Sequence, residues 1–205
     1  MIERLAAVSG IDVSRETFRT IDQFAALLSA ENRKQNLVSA DSIEDLWERH
    51  LVDGAQLAGL GGGGAKRWCD IGSGAGLPGM VIAILSRQPM TLVEPRRLRA
   101  DFLERAAAEL GLGNVTVVAA KAKRVDGTYD VITARAVAPL DRLFAMTRHL
   151  AHSGTRWILP KGQKAKSELD DARRNWQGSF RLVPSQTHPD AAIVIADGVR
   201  PREKQ

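Results

Sequence analysis

The 205 residues suffice for one medium domain with an appendage, and a 44% apolar content supports one core. A single cysteine excludes an internal disulfide and suits a reducing cytosol. Four histidines and one cysteine show no metal-ligand spacing, no 18-residue apolar run exists, and Met1-Ile2-Glu3-Arg4 reads as neither signal peptide nor anchor.

Charge is unevenly shared. Residues 1–60 carry 6 basic and 10 acidic side chains; 61–205 carry 23 and 14, so the halves are net −4 and +9. A basic second half points to a polyanionic partner such as nucleic acid, with ordinary basic surface as the alternative.

Ser14 to Glu31 predicts an amphipathic helix with Phe18, Ile21, Phe24, Ala25 and Leu28 on one face. Asn32 to Leu37 should end it. Asp41-Ser42-Ile43-Glu44 predicts a capping box opening a second helix, whose buried stripe is Ile43, Leu46, Trp47, His50 and Leu51. His50 reads as a packed histidine or as a wall of a substrate pocket. Gly59 to Gly64 reads as a flexible joint. The chain thus divides into a helical cap with its linker, 1–64, and a core, 65–205.

From Lys66 the pattern alternates. Strands are predicted at 67–71, 90–94, 115–119, 129–134, 155–160, 180–184 and 192–196, and helices at 77–86, 96–110, 138–151 and 163–176. Alternation implies an α/β fold, a mostly parallel sheet covered on both faces. The last two strands, with no helix between them, should form an antiparallel edge hairpin. The expected class is a Rossmann-like, seven-stranded, class I methyltransferase-type fold with an N-terminal helical extension.

Trp68-Cys69-Asp70-Ile71 followed by Gly72-Ser73-Gly74-Ala75-Gly76-Leu77-Pro78-Gly79 reads as strand, glycine turn and helix start. Two registers compete. Gly74 to Gly79 satisfies the GxGxxG of a dinucleotide site. Asp70-x-Gly72-x-Gly74-x-Gly76 instead matches a site for S-adenosylmethionine (SAM). A pyrophosphate beside Asp70 would be repelled, whereas the ammonium and sulfonium of SAM would be attracted, which favours the second register. Cys69 reads as packing. Glu94 lies 22 residues after Gly72, where a second parallel strand should deliver a carboxylate to a ribose; a solvated strand end or an N-cap is the alternative.

Basic groups follow four successive strands: Arg96, Arg97 and Arg99; Lys121, Lys123 and Arg124; Arg135; then Lys161, Lys164 and Lys166. Ligands of open α/β sheets bind at the carboxyl ends of strands, so these should form a polyanion-binding rim. Arg173, Arg174 and the tail Arg200-Pro201-Arg202-Glu203-Lys204 are expected to extend it. Arg135 and Lys161, beside small residues at strand ends, read as phosphate or base contacts, or as ion pairs with loop acids.

These residues resemble the bacterial 16S ribosomal RNA methyltransferase G family, also called glucose-inhibited division protein B. The resemblance rests on Asn36-Leu37, Trp47 to Asp53, Asp70 to Gly79 with its Leu77-Pro78-Gly79, Arg135-Ala136 and Lys161-Gly162. It implies methyl transfer from SAM to N7 of one guanine of 16S rRNA, on free RNA or on the small ribosomal subunit or its precursor, by a cytoplasmic monomer without a metal. By matching motif, Asp70, Gly72, Gly74 and Gly76, with Ser73 and Leu77 of the same turn, should hold the methionine part of SAM. Glu94 should hold the ribose, Ala122-Lys123 should border the adenine, and His50, Arg135 and Lys161 should stand at the active-site mouth, Arg135 also reaching the cofactor. The family usually has acids where this chain has Lys123 and Arg124, so the adenine contact rests on the backbone. The rival readings are an NAD-dependent oxidoreductase and a non-catalytic RNA-binding module.

Overall fold

A computed structural model describes residues 1–64 and 66–203. Its seven strands are β1 (Trp68–Ile71), β2 (Met90–Val93), β3 (Val115–Val118), β4 (Tyr129–Thr133), β5 (Ala151–Lys161), β6 (Trp176–Pro184) and β7 (Ala192–Pro201). They form one sheet in the order β3-β2-β1-β4-β5-β7-β6. Neighbours from β3 to β5 pair in parallel, and β7 runs antiparallel to both β5 and β6. The expected fold class is the observed one.

Among the described residues the eight α-helices are α1 (Ile2–Ser9), α2 (Arg15–Gln35), α3 (Ala40–Glu44), α4 (Asp53–Ala58), α5 (Gly79–Ser86), α6 (Arg97–Glu109), α7 (Leu140–Thr147) and α8 (Ala165–Asn175). Side chains alternate across each strand, so neighbours feed opposite layers. Val131 and Ile158 join Phe24, Leu28, Leu51, Met80 and Leu103 on one face; Ile132 and Trp157 join Cys69, Leu143, Phe144 and Trp176 on the other. Helix α5 is buried from Gly79 to Leu85, as a helix apolar all round must be. Each fully buried aliphatic side chain there contributes about 1.5–3 kcal/mol. Cys69 is fully buried, and burial with the neighbouring Asp70 charge drives its thiol pKa upward, so it packs as expected.

Several local expectations are corrected. Ser14 caps α2 by accepting from Thr17 N, as its sequence suggests. The Asp41–Glu44 capping box does not form: the N-cap is Ser39, whose hydroxyl bonds Ser42 Oγ. The following helix is broken by a π-helical turn, Trp47–Val52. The supposed joint opens as a 3-10 turn, Gly59–Gly61, packed against its neighbours. A Cβ on Gly59 would stand 2.0 Å from Ser9 O, and one on Gly61 2.3 Å from Trp68 Cζ2. Those glycines serve close approach. The helix expected at 138–151 stops at Thr147 and passes through a 3-10 turn, and Ala151 already pairs with Tyr129. β6 and β7 are longer than expected because polar edge residues and a bulge between Gln177 and Ser179 hide the alternation.

Candidate active site

The carboxyl ends of β1 to β5 share one sheet edge, and the glycine turn leaves β1 there. Gly72 N and Ser73 N both donate to Val93 O, at 2.8 and 3.1 Å, tying the turn to β2. Gly72, Gly74 and Gly76 take φ of 71, 55 and 85°, conformations that L side chains rarely adopt. Their surroundings differ. A Cβ on Gly74 would meet nothing nearer than 3.7 Å, whereas one on Gly76 would strike Met80 Cγ at 2.7 Å and Leu103 Cδ2 at 2.9 Å. Gly74 offers open backbone, and Gly76 closes the core beneath it. Ser73 and Leu77 are buried, and Ser73 Oγ donates to Asp70 O at 2.9 Å.

Asp70 lies under this turn, only 1% exposed. Its Oδ2 accepts from Gly79 N at 3.2 Å, while its Oδ1 is buried with no hydrogen-bond partner among the described residues. Burial pushes its pKa up to about 6; the Gly79 N–H and the Arg135 charge pull down, and Glu94 adds to the rise. The last glycine of Leu77-Pro78-Gly79 has a steric cause: a Cβ there would meet Leu92 Cδ2 at 2.4 Å and Asp70 Oδ2 at 2.7 Å. Glu94, at the end of β2, is buried and accepts from Gly74 N at 2.9 Å and Arg96 N at 2.8 Å. Ala122 and Lys123 form a 3-10 turn after β3, Ala122 buried and Lys123 exposed.

Beyond β4 the site changes character. Ala136 takes φ 57°, and Val137 reaches back over Gly72, its Cγ2 2.7 Å from where a Cβ would stand. On the far side of this loop opens a cavity of about 770 Å³, lined by Arg49, Asp53, Arg135, Lys161, Thr187 and Asp190 among others. Arg135 Nη1 lies 2.9 Å from His50 Nδ1 and donates to Arg49 O at 3.5 Å. Arginine has no acceptor, so His50 Nδ1 must accept and the proton sits on Nε2, a buried atom without a partner among the described residues. Burial, then the Arg135 and Arg49 charges, hold the His50 pKa down at about 4, so the ring is neutral at pH 7. Burial also lowers the Arg135 pKa, against the upward pull of Asp53 and Asp70.

Lys161 is committed internally. Its Nζ contacts Glu168 Oε2 at 2.8 Å and donates to Ala138 O at 2.7 Å. Glu168 Oε2 also accepts from Leu140 N at 3.3 Å, so this pair braces the loop that carries Val137. Among the rim residues, Arg97 pairs with Asp101 at 2.7 Å; Arg96, Arg99, Lys121, Lys123, Arg124, Lys164 and Lys166 form no ion pair among the described residues. The extension expected of the rim is corrected. Arg173 and Arg174 end α8, and Arg200 and Arg202 end or follow β7, where Trp176 pairs with Pro201; Lys161 pairs with Ala192 at the other end of that strand. An antiparallel strand carries its tail away from the rim. Lys204 lies outside the described residues.

The structure therefore brings His50 and Arg135 together, with Lys161 on the same cavity, and sets Asp70, Gly72, Ser73, Gly74 and Glu94 around the glycine turn. Residues not singled out from sequence are Asp53, Gln56, Glu168 and Thr187. Asp53 stood inside a quoted motif, but only folding shows what it meets.

The sequence profile of the family described as rRNA small subunit methyltransferase G matches residues 17–189. The chain belongs to that family. A member from Rhizorhabdus wittichii is 47% identical over 196 residues, covering 94% of this chain and 90% of the relative. One from Zymomonas mobilis is 43% identical over 204 residues, covering 95% and 92%. Among solved structures, a glycopeptide N-methyltransferase complexed with sinefungin superposes with a TM-score of 0.63 at 11% identity, covering 72% of this chain and 93% of that one. A SAM-dependent methyltransferase from Aquifex aeolicus gives 0.59 at 15%, covering 78% and 98%. At such identities these two speak for the fold alone. Methyltransferase G membership gives the glycine turn and the Arg135 cavity one common context.

Proposed function

We propose that this chain transfers a methyl group from SAM to N7 of one guanine in 16S rRNA, acting as a cytoplasmic monomer. The observation that carries this reading is a carboxylate-headed glycine turn in a methyltransferase G chain, with the cavity that holds Arg135 beyond the loop covering Gly72. The residues present suit the cofactor: Asp70 Oδ1 is a buried acceptor without a donor, and Gly74 offers unobstructed backbone. Asp70, Gly72, Ser73 and Gly74 would hold the methionine end, with Glu94 as acceptor for the ribose. When bound, SAM supplies an electrophilic methyl on sulfonium.

Guanine N7 already carries a lone pair, so no proton need leave before attack. The neutral His50 ring, anchored to Arg135, is accordingly not required as a base. Arg135 presents donors to guanine O6 and orients the base, and catalysis comes chiefly from alignment of N7, methyl and sulfur. N7 in A-form RNA faces a groove too narrow for side chains, so the target base is unpaired or splayed out. The rim cations Arg99, Lys123, Lys164 and Lys166 take the phosphates.

The test is transfer from methyl-labelled SAM to ribosomal RNA of a strain lacking this protein, followed by mapping of the labelled nucleotide. One labelled guanine carrying 7-methylguanosine is expected. No transfer, or label on another base or atom, overturns the reading. A thermal-shift titration with NAD in place of SAM addresses the dinucleotide alternative, because a ligand of the native state raises its melting point.

A further inference from the structure

The guanidinium of Arg135 also has an acidic neighbour. Asp53, the first residue of α4, places Oδ2 3.6 Å from Arg135 Nη1. Its second oxygen, Oδ1, accepts from Thr187 Oγ1 at 2.7 Å and from Gln56 Nε2 at 2.8 Å. Thr187 belongs to the loop between β6 and β7. Gln56, 3% exposed, fastens that loop through Oε1, which accepts from Gln186 N at 3.0 Å; its Nε2 also lies 3.2 Å from Ser185 Oγ. One carboxylate thus joins an N-terminal helix, the end of β4 and a loop more than 130 residues onward in the chain. Asp53, Gln56, Ser185 and Thr187 all line the cavity that holds Arg135.

This arrangement differs from an ordinary surface ion pair. Two neutral donors saturate one oxygen of Asp53 and fix the carboxylate plane, so the other oxygen is aimed by groups that are not themselves charged. The same Nη1 meets His50 Nδ1 at 2.9 Å. A guanidinium whose Nη1 is shared by an aimed carboxylate and a neutral imidazole has little freedom to turn. Orientation of a substrate atom tolerates little error: a misplacement near 1 Å costs about a hundredfold in rate.

We propose that Asp53 is a positioning residue of the methyl-transfer site, aimed by Thr187 and Gln56 so that Arg135 keeps its donors toward the target base. The proposal rests on the reading of Arg135 as the group that orients guanine.

The experiment compares Asp53→Asn, Thr187→Val and Thr187→Ser in the full chain. Asp53→Asn lowers kcat for methyl transfer by about tenfold to a hundredfold, within the range for misplacement. The KM and Kd for SAM stay within about twofold, since none of these side chains bonds the glycine turn. Thr187→Val gives a smaller loss in kcat, and Thr187→Ser, which keeps the hydroxyl, restores it. A merely structural role would lower the melting point of all three variants without dividing kcat from KM.

A second readout needs no RNA. NMR titration of His50 should find it near 4 in the unaltered chain, held there by burial and the adjacent Arg135. If Asp53→Asn frees the guanidinium, a repelling cation leaves and the titration moves up toward its ordinary 6.5. If the guanidinium stays, loss of a nearby negative charge can only leave the value or lower it. Absence of methyl transfer by the unaltered chain would refute the proposed function while the His50 titration still decides whether Asp53 positions Arg135. A His50 titration unmoved or lowered in Asp53→Asn, or unchanged kcat in an active enzyme, overturns the positioning role.

Discussion

The glycine turn and the Arg135 cavity are built in opposite ways. The turn is one contiguous run, Asp70 to Gly79, held by backbone hydrogen bonds and by glycines whose missing side chains admit Met80, Leu92 and Leu103. The cavity is assembled from side chains of the π-helical turn, α4, the loop after β4 and the loop after β6, joined through Arg135, His50, Asp53 and Thr187. Backbone architecture fails when bulk is added, whereas a side-chain network fails when one donor or acceptor is removed. The first should register mainly in stability and cofactor affinity, the second mainly in turnover.

The largest expected effect concerns Asp70. Its pKa is raised from 3.8 to about 6, so its contribution to stability is fully present below pH 3.8 and lost as pH rises through about 6. That difference amounts to about 3 kcal/mol. Asp70→Asn should flatten this slope in chemical denaturation between pH 4 and 7 and weaken SAM binding at pH 7. An unaltered slope would deny that burial governs this carboxylate. Arg135→Ala should then reduce methyl transfer roughly a hundredfold, the scale of a lost orientation, with the SAM Kd nearly unchanged in calorimetry. Lost SAM binding would erase the division between the two regions.

Gly79→Ala ranks next, because the new methyl would overlap Leu92 and Asp70. Overpacking of this kind costs about 1–3 kcal/mol, read as a lowered denaturation midpoint; full stability would show that the turn yields. The smallest effect separates Lys161 from the outer rim. Removing exposed Lys166 should flatten the salt dependence of RNA binding by about 0.7–0.9 in log-log slope. Lys161→Ala should leave that slope nearly intact, since its ammonium already holds Glu168 and Ala138. A slope change with Lys161→Ala would instead make it a phosphate contact.

Legibility from sequence follows the same division. Strand, turn and helix from Trp68 to Leu85 could be read because the signals are local: an apolar run, glycines at fixed spacing and a buried helix. His50 and Arg135 could be singled out, yet their 2.9 Å contact could not, because the two are separated by 85 positions. The packing of Gly59 and Gly61 is not legible because composition does not distinguish a glycine that frees the chain, as Gly63 and Gly64 in open space can, from one that lets Ser9 or Trp68 come close. The rim was overextended at Arg200 and Arg202 because reading forward along the chain ignores the reversal of β7. Asp53 and Thr187 carry no local signal of their partnership at all.

Phe24 of α2 also bears on the turn: its Cζ lies 3.2 Å from where a Cβ on Gly76 would be. The ring is a floor joist for the ligand cradle, supplied by a segment synthesised some fifty residues ahead of it. Clipping the amino-terminal helices from the finished protein would therefore leave that cradle standing over a void.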